Sequence, residues 1–200
     1  MHYVSMYSDN KHQYFSDYDI FSNVKNLKHT AMGPDGLPQW FIHSSADLIS
    51  RHLCNMFNDS IYLGCLPSCF KRACITPIPK TKNPKCYGDY RPISVISIFS
   101  CLLDKLVVKY LIYPTICDQS NLDLFQHQFG FCPTGSCENA IVALLDKITK
   151  YLMNNNYVNI VSTDISKAFD TVDHCSVLQA LSKLKLDGAI YNWIVSYLSD

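Results

Sequence analysis

NIVSTDISKAFDTVDH, Asn159–His174, is the stretch on which the fold turns. Extended back to Tyr157, the run YVNIVSTD is rich in β-branched and aromatic residues and reads as a strand ending in a carboxylate, Asp164. Proteins of mixed α and β structure tend to display reactive groups at the carboxyl ends of strands. A carboxylate there can bind Mg²⁺, which takes hard oxygen ligands, and the Ile165 peptide carbonyl can be a second donor. A lone carboxylate in such a place more often caps a helix. An aspartyl nucleophile for phosphoryl transfer is a competing reading, but that chemistry usually wants a second acid two residues on, and Ser166 stands there. Asp170 and Asp173 precede the next helix and read as its caps. His174 and Cys175 are adjacent, so they point apart and make a poor nucleophile pair.

Working outward, the chain alternates helical patterns with turns. Ser16 caps a short amphipathic helix carrying Phe21, Val24 and Leu27, which stops at AMGPDGLP (Ala31–Pro38). A second helix is expected from about Asp47 to Leu63, with Ser45 as cap, Gly64 as stop, and Ile49, Leu53, Met56, Phe57 and Ile61 on one face. ACITPIPK and RPISVIS read as short strands that their prolines demote to edges. A third helix, from about Ser100 to Tyr113, carries Leu102, Leu103, Leu106, Val107 and Tyr110 and is expected to end at Pro114. A fourth starts near Ser136, should bury Ile141, Leu144, Leu145, Ile148 and Leu152, and ends at Asn154. Two more helices follow, around Val177–Leu186 and Ala189–Leu198, divided by Asp187-Gly188. Helices dominate and strands are few, so the class is α+β.

Composition sets the outer bounds. With 200 residues, 48% hydrophobic and 17% charged, this is the composition of a folded chain rather than a disordered one. No apolar run approaches the ~20 residues of a membrane helix. The start MHYVSMYSDN has neither a basic nor an apolar signal region, so an intracellular protein, not secreted and not membrane-bound, is expected. The ten cysteines include no C-x-x-C and no zinc spacing. Most therefore read as small apolar fillers in a reducing compartment, with no disulfide-linked partner expected.

Zero net charge hides a local asymmetry. From Lys71 to Arg91 lie six basic residues (Lys71, Arg72, Lys80, Lys82, Lys85, Arg91) against Asp89, a net +5 in 21 residues. Interleaved with Tyr87 and Tyr90, this is a surface suited to phosphates, although on charge alone a solvated turn-rich loop is the commoner outcome.

Four blocks in order carry a resemblance. They are GPDGLP (Gly33–Pro38), ITPIPK with DYRPISVIS (Ile75–Ser97), HQFGFCPTGSCENA (His127–Ala140) and STDISKAFDTVDH (Ser162–His174). Together they resemble the N-terminal half of the reverse transcriptase domain of non-LTR (LINE-like) retrotransposons. The resemblance implies a helical N-terminal extension (residues 1–70), the fingers (71–156) and the start of a palm (157–200) of a right-hand polymerase. It implies RNA-directed DNA polymerisation, with an RNA template, a DNA primer, deoxynucleoside triphosphates and two Mg²⁺ ions.

Residue by residue, Asp164 would be one of the carboxylates holding the metals, and Ile165 would add its carbonyl. Phe169 would lie under the sugar and exclude a 2′-hydroxyl. Lys80 and Arg91 would hold the triphosphate, Arg as a bidentate donor and Lys as a mobile point charge. Lys71, Arg72, Lys82 and Lys85 would meet template or nucleotide phosphates, a solvated face being equally expected for these four. The chain departs from the family pattern at Phe70 (usually Trp), Cys132 (usually Arg) and Cys137 (usually Thr in a Ser-Thr pair). The family's Gly-rich block and Ala-Asp-Asp hairpin do not occur in it. The chain thus reads as truncated before the palm sheet is complete, from a shortened or decayed element, and inactive alone. The compartment expected is nuclear or cytoplasmic. A non-catalytic nucleic-acid-binding or interaction remnant is the alternative.

Overall fold

The computed structural model describes residues 13–118, 125, 127–132, 135–165 and 168–199, the side chain of Phe169 excepted. The chain divides into two compact units, Met1–Ile112 with Leu186–Asp200, and Tyr113–Lys185.

In the first unit, helix α1 (Asp17–Lys25) begins at a reciprocal cap. The Ser16 hydroxyl accepts from Asp19 N–H, while the Asp19 carboxylate accepts from the Ser16 N–H and hydroxyl at 2.9 and 2.6 Å. These bonds, the Ser16 hydroxyl foremost, hold the Asp19 carboxyl below its ordinary range. Helix α2 (Gln39–Ser44) was not signalled by periodicity, because six residues are under two turns. Helix α3 (Ala46–Tyr62) turns Leu53, Phe57 and Ile61 inward as expected, but the buried face also takes Ala46, Ser50, Cys54 and Ser60. Met56 is correspondingly pushed toward solvent. Ser45 occupies the cap position of α3 without a side-chain hydrogen bond.

Asn58 on α3 ties down the residues before α1. Its Oδ1 accepts from the N–H groups of Tyr14 and Phe15 at 2.7 and 2.9 Å, and its Nδ2 donates to Phe15 C=O at 2.9 Å. The Phe15 ring, 1% exposed, is thereby seated edge-on to Tyr110.

Strands β1 (Ala73–Pro79) and β2 (Tyr90–Ile96) pair antiparallel as a two-stranded ribbon. Helix α4 (Ile98–Val107) follows, burying Ile98, Leu102, Leu103, Leu106 and Val107. Pro114 does not end the helical course, contrary to expectation. A wide π turn over Val108–Ile112 leads directly into a short helix α5 (Tyr113–Ile116), so the course runs on past Pro114.

Helix α9 (Gly188–Leu198), capped by Asp187, closes the first unit. Trp193 Nε1 donates to Ser60 Oγ at 3.0 Å, and Leu66 N–H donates to Ser196 Oγ at 3.0 Å. Gly64, at φ +59, ends α3 in the left-handed region, and a Cβ there would lie 2.8 Å from Asn192 Cβ. Between α4 and α9 sits Asp104. Its Oδ1 is buried without a hydrogen-bond partner among the described residues, and burial pushes its carboxyl up to about 6 against the bond from the Tyr197 hydroxyl.

In the second unit, helix α6 (Cys137–Leu152) is capped by Ser136, whose hydroxyl accepts from Asn139 N–H. It is followed by α7 (Ala168–Thr171) and α8 (His174–Leu181). Asp173 caps α8 through Ser176 N–H at 2.9 Å. Three expectations are corrected here. The α6 stripe is not buried: Ile141, Leu144, Leu145 and Leu152 are exposed and Ile148 is half-buried. Residues 157–165 form no strand and are exposed apart from half-buried Val158, because no neighbouring strand among the described residues satisfies their ladder. Cysteines are not mainly fillers either. Cys54 is buried, its thiol donating to Phe15 C=O and pushed up to about 12 chiefly by burial, whereas Cys132 is intermediate and the other eight are exposed.

Candidate functional site

The basic segment becomes the ribbon and its connecting turn. Register pairs Ile78 with Arg91, Thr76 with Ile93 and Pro77 with Pro92. Lys80 N–H donates to Asp89 C=O at 2.7 Å, which carries the pairing one step further. Side chains alternate faces along a strand, so Lys80, Ile78 and Arg91 share one face, Lys80 and Arg91 being diagonal neighbours.

The same alternation explains the prolines. Lys80 N–H bonds across to Asp89 C=O while Asp89 N–H turns back to Cys86 C=O; counted from that cross-strand bond, Pro79–Tyr90 and Pro77–Pro92 fall on non-bonded pairs, where main-chain nitrogens point away from the partner strand. Pro77, Pro79 and Pro92 therefore remove donors from the two outer edges and none from the ladder. The ribbon stays paired and offers a poor template for a further strand.

Lys71, Arg72, Lys80, Lys82, Lys85 and Arg91 are all exposed. Two of them are already engaged. Lys80 Nζ donates to Gly88 C=O at 2.9 Å, stiffening the turn, and Lys71 Nζ donates to Ser199 C=O just past the end of α9. The turn is ordered by Asp89, whose carboxylate accepts from Lys85 N–H at 2.8 Å and Cys86 N–H at 3.1 Å. Those two donors hold the Asp89 carboxyl below its ordinary range. The one acid in the segment is thus bonded to its own backbone, although its charge still acts on Lys80.

In the second unit, Asp164 and Ile165 are exposed, Ile165 at 70%. A carboxylate and a peptide carbonyl are the hard oxygen donors that Mg²⁺ prefers, so the donor type suits the ion. The donor number does not: among the described residues no group of three or more His, Cys, Asp or Glu converges to hold a metal. The expected role of Phe169 falls on a side chain outside the described residues.

The loop before α6 holds a feature that no sequence pattern signalled. Phe131 sits at φ +58, in the left-handed region that disfavours bulky residues, with its ring 85% exposed. Its carbonyl accepts from the Tyr113 hydroxyl, and Gly135 approaches Phe129 so closely that a Cβ would lie 2.1 Å from Phe129 O. Of the two glycines in this block, Gly135 is thus required by backbone crowding, whereas a Cβ at Gly130 would meet nothing within 4 Å. GPDG is likewise structural: Gly33 meets Ile96, and Asp35 meets Ser97.

Residues 78–199 match the family Reverse transcriptase (RNA-dependent DNA polymerase), and the chain belongs to that family. It is similar to the Retrovirus-related Pol polyprotein from type-1 retrotransposable element R2 of Popillia japonica, 30% identical over 187 residues, covering 91% of this chain and 24% of the relative. It is also similar to the corresponding polyprotein from type-2 element R2DM of Drosophila melanogaster, 32% identical over 151 residues, covering 74% of this chain and 13% of the relative. The RNA-directed DNA polymerase from mobile element jockey of the same fly is 26% identical over 183 residues, covering 88% and 20%. These are non-LTR retrotransposon proteins, the group that the four motif blocks resemble. The chain spans about a quarter or less of their length. Among the described residues, no helix is long and apolar enough to cross a membrane.

Proposed function

We propose that this chain is the nucleotide- and template-binding portion of an RNA-directed DNA polymerase of the right-hand type. Residues 1–70 would form its extension, 71–156 its fingers and 157–200 the start of its palm. The observation that carries the reading is that Lys80 and Arg91 are diagonal neighbours on one face of an exposed ribbon, while the acid of its turn is held by its own backbone N–H groups. Arg91 offers a planar bidentate fork to a triphosphate oxygen pair, and Lys80 a point charge with donors left beyond its bond to Gly88. Arg72, Lys82 and Lys85 would extend the same field along template phosphates. Lys71 contributes least, since its ammonium is already held by Ser199.

Asp164, with the Ile165 carbonyl beside it, would be one ligand of the catalytic Mg²⁺ site, and Phe169 would discriminate against a 2′-hydroxyl. Bound metal there would supply Lewis-acid chemistry for nucleotidyl transfer, with Asp164 as one of its carboxylate holders. One carboxylate cannot neutralise two divalent ions, so the chain by itself is proposed to bind nucleic acid and polyphosphate without polymerising. That binding-only behaviour is also what the remnant reading requires, and the ribbon, which needs no carboxylate cluster, is compatible with it.

The test is fluorescence anisotropy with an RNA-template/DNA-primer duplex across a salt series. Removing one cation that neutralises a phosphate should flatten the slope of log affinity against log salt by about 0.7–0.9. The Lys80→Ala/Arg91→Ala double variant is expected to flatten it by roughly twice that. An unchanged slope overturns the ribbon as the phosphate surface. Primer extension with Mg²⁺ by the chain alone, persisting in Asp164→Ala, overturns the assignment of Asp164.

A further inference from the structure

The ribbon is a lever whose root is clamped by a distant turn. Residues 33–36 form a β-turn in which Gly36 N–H donates to Gly33 C=O at 3.0 Å and Gly36 takes φ +65. Asp35 projects from this turn with both oxygens used: Oδ1 accepts from Leu37 N–H at 3.1 Å, and Oδ2 accepts from the Ser97 hydroxyl at 2.6 Å. Ser97 is 5% exposed and is the cap of α4, its Oγ accepting from Phe99 N–H at 3.2 Å. Beside it, Gly33 lies so near the end of β2 that a Cβ would be 2.6 Å from Ile96 O. The turn therefore grips the junction of β2 and α4 by backbone at Ile96 and by side chain at Ser97.

Beyond that junction, β1 is exposed throughout and β2 is exposed or half-buried, and a two-stranded ribbon is marginal on its own. Its aim is set at its root, and Arg91 lies only five residues before Ile96 on the gripped strand. We propose that Asp35 is a positioning residue for phosphate recognition, acting through Ser97 to fix the direction in which the ribbon presents Lys80 and Arg91. This inference rests on the proposed reading of the ribbon as the phosphate surface. It adds that a residue making no phosphate contact, more than 40 positions before Lys80, tunes the affinity of that surface.

Calorimetric binding of inorganic tripolyphosphate to the full 200-residue chain tests it, alongside the urea midpoint and amide exchange of the ribbon. Asp35→Ala is expected to bind tripolyphosphate about fivefold more weakly, the factor matching the net worth of one hydrogen bond. Its salt slope should be unchanged because no cation is removed. Ribbon amides should exchange faster while those of α3 do not. Ser97→Thr, which keeps the hydroxyl, should stay near the parent, and Ser97→Ala should behave as Asp35→Ala. Should Asp35→Ala not fold, Asp35→Asn replaces it, keeping the volume but offering one acceptor to two donors.

Lys80→Ala/Arg91→Ala separates the two levels. If that variant binds as the parent does, the phosphate reading fails. If it loses binding while the Asp35 and Ser97 variants retain full affinity, or if α3 amides quicken as much as ribbon amides, the positioning role is overturned and the clamp is merely structural.

Discussion

Asp104→Asn should stabilise the first unit at neutral pH and do nothing for it in acid. The carboxyl is pushed up to about 6 from an ordinary 3.8, chiefly by burial between α4 and α9. In the unfolded chain it ionises near 3.8, so between those values the folded state holds the proton more tightly. The stability it contributes is complete below about 3.8 and is lost as pH rises through about 6. At 1.36 kcal/mol per pH unit the displacement sets a ceiling of about 3 kcal/mol. Screening at a half-buried residue reduces the expected difference to about 1–2 kcal/mol. The groups facing Asp104 are the Tyr197 hydroxyl across the interface and the Cys101 thiol on α4, both pushed up by partial loss of solvent, which for Cys101 affects the thiol of a residue otherwise exposed, and by the Asp104 charge.

Urea unfolding followed by tryptophan emission is the assay. Both tryptophans lie in the first unit, and Trp193, 3% exposed, reports directly on the docking of α9. Comparing variant with parent at each pH cancels carboxylates of opposite sign, such as Asp19 and Asp173, which are held below their ordinary range in both proteins. The midpoint of Asp104→Asn should exceed the parent's at about pH 7.5, converge with it by about pH 4, and show an unchanged m-value. A difference independent of pH, or an asparagine variant weaker than the parent at neutral pH, would falsify burial as the dominant influence on this group.

Gly64→Ala should cost about 2–3 kcal/mol, because it combines a left-handed φ with a Cβ 2.8 Å from Asn192 Cβ; a shift within about 0.5 kcal/mol would show that α9 can retreat freely. Asn58→Ala should lower the urea midpoint by an amount equal to about 2–3 kcal/mol, since the Tyr14 and Phe15 N–H groups lose their acceptor together and Phe15 C=O keeps only the Cys54 thiol; a negligible shift would mean that water replaces the clamp.

Much of the local structure was legible in sequence. Ser16 stands before an amphipathic run and accepts the expected N–H bond, the helix expected near Ser136 begins there, and Gly64 ends α3 as its position foretold, whereas Ser45 caps α3 without a side-chain bond. The ribbon could be read from β-branched residues separated by a proline-containing turn, because strand pairing across such a short connection is a local event. Partner surfaces were harder. The α6 pattern announced an apolar face without saying what would cover it, and YVNIVSTD announced a strand without neighbours to pair with.

What the amino-acid order determined alone is the longer helices and the ribbon, the family and the identity of the groups that could meet phosphate or metal. Those follow from spacing and side-chain chemistry within a few turns of chain. Only the tertiary structure decided that Asp35 would grip Ser97, that Asp104 would lose its water between α4 and α9, and that Lys71 would be claimed by the backbone at Ser199. Each is a meeting of segments from 62 to 128 residues apart or a loss of solvent on packing, and neither leaves a periodic trace in the chain.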